Sequence, residues 1–187
     1  MESHRLSDVS DRSRPAAFGE SDLRVANRQG ARISAAEIAV ILARRRAIEP
    51  ALRSIAPDAS LAAAASSVPW LPLRQFFDGF ADIRGVGFSK MTKALHPKRP
   101  ALIPMLDSIV QKYLAGDDPG AQAPFGERAL RLVQGYKREL DRNRAAVRAV
   151  RRELARRHYR VFQGYGSSIS SSCPPSRRPA LGKPTMC

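Results

Sequence analysis

The chain has 187 residues, 43% of them hydrophobic and 26% charged, which excludes a wholly disordered, collagen-like or coiled-coil protein and allows one buried core with tails. Its 32 Lys and Arg against 17 Asp and Glu give a formal net charge of +15, which points to a polyanionic partner, nucleic acid before an anionic membrane. Cys173 and Cys187 form no C-x-x-C pair and His4, His96 and His158 are scattered, so neither a disulfide framework nor a metal or cofactor site is expected.

Residues 1–21 mix Ser, Asp, Arg and Pro15 without periodicity and read as a disordered leader, with order beginning near Leu23. This start lacks the apolar region of a signal peptide. Ser34-Ala-Ala-Glu37 is a capping box, in which each side chain satisfies the other residue's free amide. Ile38, Ile41, Leu42, Ile48, Leu52 and Ile55 then recur at helical spacing, with Pro50 either kinking this segment or opening a second helix. The Ala-rich residues 59–66 suit a helix, and the uncharged run 59–73 contains Pro69 and Pro72 and is too short to span a bilayer. A cytoplasmic protein without a membrane partner is the expectation.

Leu73, Phe76, Phe77 and Phe80 repeat at i, i+3, i+4 and i+7, which predicts a helix from Pro72 to Phe80 buried through its aromatics. Ile83, Arg84, Gly85, Val86 and Gly87 follow, and a second helix is expected to begin near Phe88. Glycines flanking one apolar residue leave no Cβ in the way, so a phosphate can approach successive amides at the positive end of the next helix. Residues 83–99 carry five basic and no acidic groups, among them Lys90, Lys93, Lys98 and Arg99.

From Glu127 to Phe162 helix propensity is strong, with Leu130, Val133, Tyr136, Leu140, Val147, Val150 and Leu154 near one stripe and a division expected at Asp141 to Asn143. Arg144, Arg148, Arg151, Arg152, Arg156 and Arg157 populate the remaining surface. Residues 163–187 change to Gly, Ser and Pro and read as a disordered tail. No stretch alternates as a strand would, so the fold class is all-α, with one multi-helix domain over 22–162.

Arginine surplus with abundant Ala is also what a GC-rich coding sequence produces, so placement must decide. Residues 1–82 sum to +1, 83–99 to +5, 100–126 to −2, 127–160 to +8 and 161–187 to +3. A compositional drift would have spread the excess evenly; here three stretches hold the whole of it, as a binding surface would require.

The Phe-rich helix, Ile83, the two glycines and the basic surround, over about 72–95, resemble the helix-hairpin-helix motif of DNA-binding proteins. The likeness continues through Lys98-Arg-Pro-Ala-Leu-Ile-Pro104-Met-Leu-Asp107, which is similar to the segment after the hairpin in helix-hairpin-helix DNA glycosylases, where an Asp opens the next helix. In those enzymes the fifth residue from the first hairpin glycine is Lys when the enzyme also cleaves the strand. Here it is Ser89, with Lys90 rotated by about 100° on the helix, so the resemblance implies at most base removal without strand cleavage. The chain also resembles an uncharacterised bacterial family of small all-helical proteins with a K-R-P-x-L-x-P-x-x-D signature.

Asp107 has two readings: a catalytic carboxylate that stabilises an oxocarbenium ion or activates water, and the N-cap of the helix begun by Ser108. The expected function is sequence-independent DNA binding, with Gly85, Val86 and Gly87 presenting amides to phosphates, and Ser89, Lys90, Lys93, Lys98, Arg99, Arg148, Arg151 and Arg152 extending the contact. The alternatives are a DNA glycosylase using Asp107, and a module that meets an acidic partner protein.

Overall fold

A computed structural model describes residues 17–157; positions 1–16 of the expected leader, and the chain from 158 onward with the whole 163–187 tail, lie outside the described residues. The fold is all-α: among the described residues there are eight α-helices and no strand. They are α1 (Glu20–Arg28), α2 (Ala35–Ala43), α3 (Arg45–Arg53), α4 (Trp70–Asp78), α5 (Phe88–Leu95), α6 (Ser108–Tyr113), α7 (Phe125–Arg142) and α8 (Arg144–Arg156). None is long and apolar enough to cross a membrane.

Order begins earlier than Leu23. Phe18 has no exposed surface, its ring meets Phe80 edge-on at 6.0 Å, and its amide donates to the Glu49 carboxylate at 3.1 Å. Burying one such ring is worth roughly 1.5–3 kcal/mol, enough to hold the chain entry to α1 in place. The capping box at Ser34 and Glu37 forms as its spacing requires and starts α2.

The helical run that follows divides at Arg44, not at Pro50. The Arg44 amide closes α2 on the Val40 and Ile41 carbonyls, and its own carbonyl accepts the Ala47 and Ile48 amides of α3. Pro50 sits inside α3, and Ile48, Leu52 and Ile55 bury beside Ile41. The Ala-rich stretch forms turns and one 3₁₀ turn at Ala65–Ser67 instead of a helix, because Lys137 and Ala101 bind its backbone: Lys137 Nζ takes the Leu61 and Ala63 carbonyls at 3.0 and 2.9 Å, and the Leu61 amide donates to Ala101 at 2.9 Å.

The Phe-rich helix begins two residues before Pro72, at Trp70, and buries Leu73, Phe76 and Phe77, with Phe80 following in the loop. α4 packs along α7 and against α3, and α5 packs against α1. The C-terminal segment divides at Asn143 as expected, but its predicted stripe seats only in part. α7 buries Ala129, Leu132 and Val133, Leu130, Tyr136 and Leu140 are half-buried, and on α8 Val150 is 58% exposed with no residue of that helix buried.

Candidate functional site

The connection from α4 to α5 is fixed by three apolar residues. Ile83, Val86 and Phe88 turn into the core, at 5–7% exposure, while Arg84, Gly85 and Gly87 stay on the surface. Asp82 and Gly85 adopt left-handed backbone, with φ 59° and 83°. The Val86 amide closes the turn on the Ile83 carbonyl at 3.0 Å, so it is consumed internally. Phe88 stacks at 4.8 Å on Phe125, and the Arg128 guanidinium lies 5.2 Å over the Phe88 ring while pairing with Asp118 at 2.8 Å. That pairing holds the Asp118 carboxyl below its ordinary value.

Gly87 is the N-cap of α5, with extended backbone (φ −91°, ψ −174°), no side-chain cap, and open space where a Cβ would stand. The first amides of α5 have no acceptor within the helix and lie at the positive end of its dipole. Thr92 holds the other side of the helix: its hydroxyl donates to the Phe88 carbonyl at 2.8 Å and accepts the Leu106 amide at 3.0 Å.

Of the residues singled out in the sequence, Gly85, Gly87, Ser89, Lys90 and Lys93 come together around this turn. Ser89 is half-buried one residue into α5. Lys90 Nζ reaches both oxygens of Glu37 at 2.7 and 2.8 Å, and Glu37 in turn accepts the Ser34 amide at 2.8 Å. The hydrogen bond from Lys90, then that from the Ser34 backbone, lowers the Glu37 carboxyl below its ordinary value against the opposing effect of burial. Lys93 Nζ donates to the Gly30 carbonyl at 3.2 Å, which sets the turn between α1 and α2 against α5.

Lys98 and Arg99 have internal partners instead. Lys98 pairs with Asp22 at 2.9 Å with both side chains nearly enclosed. Arg99, 1% exposed, donates to the carbonyls of Leu52 at 2.8 Å, Ile55 at 2.7 and 3.1 Å and Lys98 at 2.7 Å, closing the C-terminal end of α3. Burial lowers the guanidinium's pKa from its ordinary value. Asp107 caps α6: one of its oxygens accepts the Ile109 and Val110 amides at 3.0 and 2.9 Å. Arg148 and Arg152 are exposed and Arg151 half-buried on α8, an element that meets the fold mainly through α7, so these three do not join the turn.

Three exposed arginines were not singled out in the sequence. Arg28 and Arg32 are exposed on either side of Gly30, where Lys93 anchors, and exposed Arg84 lies in the turn itself. An open groove of about 600 Å³ runs past it between Ser34, Glu37 and Val40 of α2 and residues 82–85. Arg84 belongs to the basic stretch 83–99, whereas no local signal marks Arg28 and Arg32, whose segment sums close to neutral. Among the described residues no His, Cys, Asp and Glu group is arranged to hold a metal ion. No curated protein and no solved structure matches the chain. A family of unknown function (DUF6308) matches residues 5–165, and the chain belongs to that family.

Proposed function

We propose that this protein binds DNA without reading its sequence, using the turn before α5 as a phosphate seat in the manner of a helix-hairpin-helix. The observation that carries the reading is Gly87: an exposed N-cap with open space above it, at the head of an eight-residue helix and beside Lys90 and Lys93. A phosphate placed there meets main-chain donors and a favourable helix dipole, and exposed Arg84 in the turn adds positive charge. Such contacts fix a protein on the duplex but carry no base information. The Val86 amide is already bonded, so the amide donors are those of Gly87 and the first residues of α5.

The test is a fluorescence anisotropy titration of the full chain against duplexes of unrelated sequence over 50–200 mM salt. With four to six phosphates contacted, log K falls at a slope of about −0.9 per phosphate, a loss on the order of a hundredfold or more across that range. Replacing Gly87 by Val places a branched side chain in the phosphate position and lowers affinity about tenfold, or about 1.4 kcal/mol. A flat salt response, or unchanged affinity in that variant, refutes the reading.

A further inference from the structure

Glu37 occupies an unusual position for a surface carboxylate. A Cβ on Gly85 would collide with its Oε1, so the absence of a side chain at Gly85 is what lets the carboxylate lie against the turn. There it binds Lys90 through both oxygens, across 53 residues of sequence, while the capping box fixes it to the Ser34 amide. Glu37 is only 13% exposed and Lys90 24%, so water screens the pair less than it would an open surface pair. A preformed anion thus neutralises the lysine nearest the proposed phosphate seat.

We propose that Glu37 is a built-in competitor for that phosphate: its carboxylate holds Lys90 in the free protein, and DNA binding transfers Lys90 from Glu37 to the phosphodiester. This rests on the DNA-binding reading and assigns Glu37 the role of limiting affinity. The transfer requires little rearrangement. Lysine carries its charge on a flexible four-carbon stem, whereas Glu37 stays anchored by Ser34 when the lysine leaves. Ser34 and Glu37 also open α2, so release of Lys90 loosens one link between α2 and the turn without uncapping the helix.

Glu37→Gln separates this role from a structural one. Glutamine serves in a capping box as glutamate does, so α2 keeps its start, while the charge that holds Lys90 is gone. The expected result is tighter duplex binding by about three- to tenfold near 0.1 M salt, with the salt slope little changed, because Lys90 meets the phosphate in both complexes. The same substitution in a Lys90→Met background must bring no such gain, because a gain there would be a general effect of one less negative charge. A wild-type measurement stands beside the variants: the Glu37 carboxyl carbon resonance at neutral pH must move when duplex is added.

Unchanged or weaker binding by E37Q while the wild type binds, a gain that persists with Lys90→Met, or a Glu37 resonance indifferent to bound DNA would each overturn this inference and leave the DNA-binding reading intact. Absence of binding by wild type and E37Q alike would overturn both. Binding by E37Q alone would support both, with the competitor fully masking the seat.

Discussion

The two glycines of the turn make different predictions for stability, and Gly85 is the more informative. An alanine there must hold the left-handed backbone that glycine adopts at φ 83°, which costs about 1–2 kcal/mol. Its Cβ also displaces the Glu37 carboxylate, adding roughly 0.5–1 kcal/mol for a weakened cap and ion pair. Gly85→Ala is therefore expected to lose about 1.5–3 kcal/mol. Gly87→Ala has extended backbone open to any residue and nothing within 4 Å of its Cβ, so it loses about 1 kcal/mol at most, through the poorer N-cap. Urea unfolding followed by circular dichroism at 222 nm measures both. With a slope of about 2 kcal/mol per molar, Gly85→Ala moves the midpoint down by about 0.75–1.5 M. Combining it with Glu37→Ala should recover the steric share and leave the backbone share. Equal stability of the two single variants would refute the assignment of strain to Gly85, and additivity in the double variant would refute the steric conflict with Glu37.

Arg99→Met strands the buried carbonyls of Leu52 and Ile55 and is expected to cost about 3–5 kcal/mol, seen as a large fall in thermal midpoint, whereas a fall of only a few degrees would show that water replaces the guanidinium. Asp107→Asn keeps a good N-cap and leaves stability within a few tenths of a kcal/mol of wild type, while Asp107→Ala loses about 1 kcal/mol; loss of base-release activity in the folded Asn variant, on a panel of damaged duplexes, would overturn the cap as the sole role. The lowered carboxyls of Glu37, Asp118 and Asp141 contribute stability that is present above the ordinary carboxylate range, near pH 4, and lost as pH falls through their folded-state values. Urea midpoints at pH 7 and pH 3 should therefore differ less in Glu37→Gln than in wild type, and an equal difference would refute Glu37's share.

Local signals were legible where both partners lie within one or two helical turns. Ser34 and Glu37 are three residues apart, the Phe-rich stripe spans seven, and Asn143 interrupts one continuous periodic segment. The errors arose where a distant group decided the local outcome. Residues 59–64 have helical propensity, yet the Lys137 ammonium, 76 positions beyond Leu61, takes their carbonyls in turn geometry. Spacing alone also could not tell which glycine needs positive φ: both are exposed, and only the inward turn of Val86 forces Gly85, and not Gly87, into the left-handed region.

The same distinction governs the charge. Clustering of basic residues over 83–99 suggests one cationic surface, but within it Lys98 pairs with Asp22 and Arg99 lies under the C-terminus of α3, so both serve the scaffold. Arg28 and Arg32, from a segment whose summed charge is close to neutral, are by contrast exposed, on either side of the Gly30 carbonyl that Lys93 anchors. A net charge of +15 is thus divided between cations that satisfy buried carbonyls and carboxylates and cations that face solvent, and only the second group can release counterions from a polyanion. Within a fold whose helices are short, main-chain carbonyls at helix ends compete with any external anion for arginine and lysine. The surplus of charge on the surface, and not in the sequence, is therefore what sets the strength and the salt dependence of binding.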